Sequence, residues 1–286
     1  MSIEIKTFFE PETATFTYIV SDTIEKVAAI IDPVLNYDQF SGRIKTHSAD
    51  EAIKYVQDHG LKLEWILETH IHADHVTAAH YINEKLGGRV GIGSKITEVL
   101  KFWVPIFNTY YDTPMNGSQF DALFEDLQIL PLGEKFITVW HTPGHTPACC
   151  SYLIENNIFV GDTIFMPDIG TARTDFPGGS AEDLYASIKR ILSLSNDTNI
   201  FVCHDYPTAN RSEMCQSTVK EQRLDNILIN ETISRESYIE IRHKRDENKP
   251  VPKLLLPSIQ ANLRLGKMSK AEDNQIQYIK IPINVL

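Results

Sequence analysis

The chain has 286 residues, 42% hydrophobic and 23% charged, with 27 Lys and Arg against 38 Asp and Glu, a formal charge of −11. This is the composition of a globular protein with a sizeable core. Its acidic balance repels phosphate backbones and argues against a nucleic-acid partner. No apolar run approaches the roughly 20 residues of a membrane span, so no membrane partner is expected either.

The first residues, MSIEIKTFFEPETATF, alternate and carry acids, which reads as a strand and not as a secretion signal. The first arginine is Arg43, which argues against an Arg-rich transit peptide, so the cytoplasm is the expected compartment. Strands are predicted over 3–9, 15–20 and 26–31, joined by short polar turns. A helix over 48–60 follows, with Ser48 as its N-cap, Glu51 three residues on and Gly60 at its end. Residues 63–69 read as a buried strand, and after THIHADH a helix spans 76–88, closed by glycines.

A short strand at 89–93 leads to a helix ending near Phe107, then to a polar, aromatic loop through Tyr110 and Tyr111. Strands are predicted near 135–141, 148–154 and 157–161, a capped amphipathic helix over 180–194 and a strand over 199–204. TVKEQRLDNIL and SRESYIEIRHKRDEN look helical, and the last 35 residues are punctuated by prolines. Strands and helices alternate without the strict rhythm of a parallel sheet. Two packed mixed sheets with helices outside are therefore expected.

Charge divides unevenly. Residues 1–205 hold 14 Lys and Arg against 28 Asp and Glu, net −14, whereas residues 206–286 hold 13 against 10, net +3. The tail is therefore either a solvated helical surface or a source of cations for a small anionic substrate. Cys149, Cys150, Cys203 and Cys215 form no CxxC pair, and the adjacent two are too cramped for an ordinary bridge, so all four are read as reduced.

The chemistry lies in four places, each at the end of a predicted strand: THIHADH (69–75), HTPGH (141–145), VGD (160–162) and VCHD (202–205). Strand ends on one sheet edge can converge, and ligand-bearing loops on a rigid scaffold are a common way to build a site. His70 and His72, two apart in extended chain, point the same way, while Asp74 and His75 fall where the next helix begins. Three His and one Asp within six residues point to metal. His47, His59, His80 and His243 are read as ordinary structural histidines, and His141 as a strand end or a residue supporting the site.

HIHADH (70–75), TPGHT (142–146), GD (161–162) and the late His204 resemble the metallo-β-lactamase superfamily over residues 1–205. The resemblance implies an α/β fold, an αββα sandwich of two mixed β-sheets flanked by helices, with the site at one edge of both sheets. GTARTDFPGGSAEDLYASI (170–188) resembles the segment after the metal-binding Asp in persulfide dioxygenases and the related bacterial β-lactamase-hydrolase-like branch. LPSIQANLRLG (256–266) and EDNQIQYIKIPIN (272–284) resemble that branch too. The implied organisation is a metal-binding domain over 1–205, with a helical and irregular extension over 206–286 packed on it.

The resemblance makes His70, His145 and Asp162 the ligands of one Fe(II). Two His and a carboxylate leave positions open, as non-haem iron oxygenation requires. His72, Asp74, His75 and His204 then orient those ligands or complete a second metal site, and zinc, as one or two ions, is the alternative cofactor. Arg173 is read as pairing either with Asp175 or with a substrate carboxylate, and Tyr206 and Arg211 as substrate contacts.

The implied reaction is oxidation of glutathione persulfide by O2 to sulfite and glutathione, with a homo-oligomer expected. The competing reaction is thioester hydrolysis, as in hydroxyacylglutathione hydrolases, with two metals and a bridging hydroxide. The ligand list does not separate the two. A nuclease is disfavoured by the −14 of the metal-bearing part. A sulfide sensor is disfavoured because no DNA-binding helix is visible.

Overall fold

In the segment Thr15–Asp22, Phe16, Tyr18 and Val20 alternate with Thr17, Ile19 and Ser21, and this period of two sets the layers. Phe16, Tyr18 and Val20 enter a core between two sheets, and Ile19 faces a second core under helices. The next strand repeats the division, with Val27, Ala29 and Ile31 on one side and Ala28 and Ile30 on the other.

The computed structural model describes residues 2–207 and 211–285. Its first part runs β1 (Ile3–Glu10), β2 (Thr15–Asp22), β3 (Val27–Ile31), β4 (Val34–Asp38), β5 (Arg43–Lys45), α1 (His47–Asp58), β6 (Lys62–Leu67) and β7 (Val76–Thr77). It continues with α2 (Ala79–Leu86), β8 (Arg89–Gly93), α3 (Ile96–Phe107) and β9 (Ala122–Phe124). The second sheet is built from β10 (Ile129–Leu132), β11 (Lys135–His141), β12 (Cys150–Ile154), β13 (Asn157–Phe159), β14 (Asn199–Phe201) and β15 (Gln216–Thr218). The remaining helices are α4 (Ala181–Ile191), α5 (Val219–Asp225), α6 (Arg235–Asp246) and α7 (Leu255–Asn262).

The first sheet has the order β1-β2-β3-β6-β8-β9, antiparallel up to β3 and parallel beyond it. The second, β10 to β15 in sequence order, is antiparallel except where β13 meets β14. A small sheet β5-β4-β7 stands apart. Helices α1, α2, α3 and α7 cover the outer face of the first sheet, through Ala52, Ile82, Leu100 and Ile259. Helices α4, α5 and α6 cover the second, through Leu184, Ile188, Val219 and Tyr238. The αββα sandwich of two mixed sheets is therefore the fold, and both outer layers draw side chains from beyond residue 205.

Several local expectations need correction. Ser48 is not the N-cap of α1: it lies inside the first turn, where its N–H donates to Asn36 Oδ1 (3.1 Å) and its hydroxyl accepts from Asn36 Nδ2 (3.0 Å). The helix expected from 76 begins at Ala79, because Val76 and Thr77 pair with β4. Asp74 and His75 therefore lie in irregular chain before a strand. The proline-punctuated tail contains α7. Pro257 is in its first turn, where a missing N–H costs no hydrogen bond.

All four cysteines are free thiols. Burial pushes Cys149 and Cys150 up to about 12, against the smaller opposing effect of hydrogen bonds with Thr146 and Tyr152. Neutral buried thiols are poor nucleophiles. Iodoacetamide at mildly alkaline pH should label neither in the folded protein and both after denaturation. Labelling of either in folded protein would show that the start of β12 opens on the timescale of alkylation.

Candidate metal centre

Four strand ends meet at one edge of the sandwich. The chain leaving β6 carries Glu68 to His75, the turn from β11 to β12 carries His145, and Asp162 and His204 follow β13 and β14. The turn to His145 is pressed onto α4: at Gly144 (φ +139°), a Cβ would lie 2.3 Å from Leu184 Cα. Gly161, at φ +51°, brings Asp162 in beside Thr69, whose Oγ1 would lie 2.4 Å from any Cβ there. Both positions require glycine.

The structure brings all seven predicted ligands together, as two adjoining groups. His70, His145 and Asp162 form one and His72, Asp74, His75 and His204 the other, each with its ligand atoms within 4.8 Å of one another. Asp162 stands between them. Its Oδ2 lies 3.9 Å from His70 Nε2 and 3.7 Å from His145 Nε2, and its Oδ1 lies 3.5 Å from His204 Nε2. His204 Nε2 is also 3.0 Å from Asp74 Oδ2. Donors at about 2.0–2.2 Å from one ion stand up to roughly 4.4 Å apart, and the Asp162 distances to His70 and His145 and the Asp74 distance to His204 fall inside that reach.

Each imidazole turns one nitrogen to the protein and the other inward. His145 Nδ1 is 2.8 Å from Arg173 O, and His70 Nδ1 is 3.0 Å from Thr69 Oγ1. Thr15 Oγ1 stands between His75 Nδ1 at 3.4 Å and His204 Nδ1 at 3.2 Å. His72 is reversed, with Nε2 lying 3.0 Å from Asp32 Oδ1 and 3.4 Å from Glu68 Oε2.

What remains inside is His70 Nε2, His72 Nδ1, Asp74 Oδ2, His75 Nε2, Asp162 Oδ1 and His204 Nε2, all buried without a hydrogen-bond partner. Each orphan of this kind costs about 1–3 kcal/mol, and six facing one another fit a cation that completes them. A His and carboxylate set suits iron or zinc. The outer partners fix each ring, as supporting contacts do around bound metals.

Burial, and next the charge of neighbouring histidines, pulls His70 well below the usual histidine range, so it is neutral and ready to ligate. Burial acts the same way on His72 but is outweighed by Asp32 and then Glu68, which raise it well above that range. An ion using His72 must therefore displace a proton that His70 does not hold. Asp74 is likewise kept ionised against burial, by His204 and His75.

The centre opens on a cavity of about 920 Å³ lined by Asp74, His145, Asp162, Arg173, Phe176 and Tyr206 among others. Its lining also includes Lys45, Arg245, Lys249 and Lys253 beside Glu10, Glu12 and Asp38, and the basic tail contributes three of these four cations. Arg173 Nε and Nη2 grip Asp175 (2.6 and 2.5 Å), and its Nη1 donates to Pro250 O (2.8 Å). Tyr206 stacks over His204 at 6.1 Å. Arg211 is not brought to the cavity. It is held between Asp168 (2.8 Å) and Asp205 (2.8 Å). His141 also lies away from the ligands, its Nε2 2.8 Å from Phe124 O.

The metallo-β-lactamase superfamily model matches residues 11–204, which carry every one of these ligands. The chain belongs to the metallo-β-lactamase superfamily. A protein from Dictyostelium discoideum, "Glyoxylase B2", is 48% identical over 99% of this chain and 98% of its own. The human "Persulfide dioxygenase ETHE1, mitochondrial" is 29% identical over 92% of this chain and 89% of its own. A crystal structure of ETHE1 from Myxococcus xanthus superposes with TM-score 0.74 over 92% of this chain and 100% of that one, at 26% identity. Bacterial β-lactamase hydrolase-like proteins are also among the relatives. The chain is thus a member of a metal-dependent enzyme superfamily, and among its described residues no helix is long and apolar enough to cross a membrane.

Asp32, Glu68 and Thr15 are parts of this superfamily site that the ligand pattern did not reveal. The available signal was an acid directly after the apolar run VAAII, since a charge at the end of a buried strand needs a partner. Asp32 finds three: Thr69 N–H (2.8 Å), Thr69 Oγ1 (2.9 Å) and His72.

Proposed function

We propose that this protein is a persulfide dioxygenase, with His70, His145 and Asp162 holding a single Fe(II). What supports the reading is that these three face the open cavity through His145 and Asp162, with Lys45, Arg245, Lys249 and Lys253 among the residues lining it. An iron held by His70, His145 and Asp162 would supply the redox chemistry by which O2 oxidises the outer sulfur of a persulfide. One persulfide, one O2 and one water yield the thiol, sulfite and two protons.

This chain's own residues position the substrate. Lys45, Arg245, Lys249 and Lys253 of the cavity lining receive the carboxylates of a glutathione-like carrier, Phe176 and Tyr206 flank its chain, and Arg173 O holds His145 in the tautomer with Nε2 free. His72, Asp74, His75 and His204 orient the ligands in this reading. A cytoplasmic homo-oligomer acting on a small thiol, without nucleic acid or membrane, completes it.

The second reading is a two-metal hydroxyacylglutathione-type hydrolase. The spacing of His72, Asp74, His75 and His204 favours it, because it fits a second ion beside Asp162. The two readings are compared by giving the iron form glutathione persulfide and the zinc form lactoylglutathione. Sulfite from the first and no thioester cleavage by the second is expected; the opposite pattern would give the case to the hydrolase.

Arg173→Ala separates side chain from backbone. In this reading the Arg173 guanidinium, seated on Asp175 at the cavity wall, also meets a substrate carboxylate, and the substitution removes that contact while the carbonyl holding His145 stays. KM for the persulfide should rise by the equivalent of about 1.5–3 kcal/mol, at unchanged metal content. Unchanged KM would leave Arg173 as a brace between Asp175 and Pro250.

A further inference from the structure

Asn262, the last residue of α7, is 2% exposed and lies beyond the residues 11–204 that the superfamily model matches. Its Nδ2 donates to His72 O and to His75 O, both at 2.8 Å, and its Oδ1 accepts from Thr77 N–H at 2.8 Å. Both amide protons and an oxygen lone pair thus bind one stretch of backbone, and that stretch carries Asp74 and His75.

The segment after Asn262 follows the same backbone. Leu265 O accepts from His80 N–H at 2.9 Å, and at Gly266 (φ +88°) a Cβ would lie 2.0 Å from Thr77 O. Residues 72–77 are irregular chain ending in a two-residue strand, so no regular ladder sets the direction of the His72 and His75 carbonyls.

We infer that Asn262 is a positioning residue for the metal centre, a clamp through which the C-terminal extension fixes Asp74 and His75 relative to His70, His145 and Asp162. Without its amide the two carbonyls lose a common partner, the 72–77 backbone turns, and the inward oxygen and nitrogen of Asp74 and His75 no longer converge. Supporting contacts of this kind typically govern about 10–100-fold in metal affinity. The inference rests on the centre holding a metal and is independent of which reaction follows.

The test is a zinc titration of metal-free protein against a competing chelator, with wild type, Asn262→Ala and Gln260→Ala. Gln260 is a buried amide on the same helix, but its bonds run to Leu256 O (2.8 Å), Lys280 O (2.9 Å) and Lys280 N–H (3.0 Å), away from the ligands. Asn262→Ala should weaken zinc binding about 10–100-fold while its circular dichroism stays that of wild type. Gln260→Ala should bind like wild type.

If Asn262→Ala does not fold, Asn262→Asp takes its place. It keeps the shape and the acceptor for Thr77 but turns an oxygen onto two carbonyls, and the same weakening is expected. Wild-type affinity in the folded Asn262 variant, or equal weakening in Gln260→Ala, would overturn the clamp. Wild-type protein that takes up no zinc would overturn the metal centre itself, and this inference with it.

Discussion

His145→Ala and Asp162→Ala proteins should lose nearly all bound metal and with it about a hundred-fold or more of activity, beyond the 10–100-fold typical of removing a residue that only orients a ligand. Asp162 lies within 4 Å of three histidine nitrogens, so its loss removes the carboxylate common to the whole centre. His145 is the histidine ligand that reaches the cavity, and its ring is fixed by Arg173 O. His70→Ala should behave like His145→Ala. His204→Ala should differ: in a mononuclear centre it leaves the His70, His145 and Asp162 set whole and one ion in place. Metal analysis by atomic emission on each variant reads this directly. A wild type with two ions that falls to one in His204→Ala would contradict the mononuclear reading.

Asp32→Ala should be the most destabilising single change at the centre. The carboxylate is 2% exposed and accepts from Thr69 N–H, from Thr69 Oγ1 and from His72 Nε2. Truncation leaves a buried, charged imidazole with only Glu68 opposite, and strands a backbone N–H. Breaking a buried pair by removing one partner costs about 3–5 kcal/mol, which for a chain of this size lowers Tm by roughly 5–15 °C. Asp32→Asn, which keeps an acceptor but not the charge, should lose about half as much. The melts should be made on metal-free protein, so that weakened metal binding does not enter. An Asp32→Ala protein that melts with wild type would mean that Asp32 does not support His72.

The ligands were readable because metal chemistry compresses into sequence. HIHADH places its donors within six residues, and the TPGH and GD turns each bring one more donor to a strand end. The layers were readable where side chains alternate, as in β2. What stayed hidden is set by contacts distant in sequence. Asp32 and His72 meet across 40 residues, and Asn262 and His72 across 190. Strands β4, β5, β9 and β10 lacked a signal because they are short and gain their pairing from neighbours and not from their own pattern. Arg211 was misplaced for a related reason. Sequence position beside His204 suggested the cavity, but Asp168 and Asp205 satisfy the guanidinium first.

Oxygen uptake distinguishes persulfide oxidation from thioester hydrolysis. One metal-free preparation is divided, reconstituted anaerobically with Fe(II) or with zinc, and given glutathione persulfide. The iron form should consume O2 and release one sulfite per O2, with the zinc form near the uncatalysed rate. An iron form that takes up no O2, beside a zinc form that hydrolyses lactoylglutathione, would contradict the dioxygenase reading.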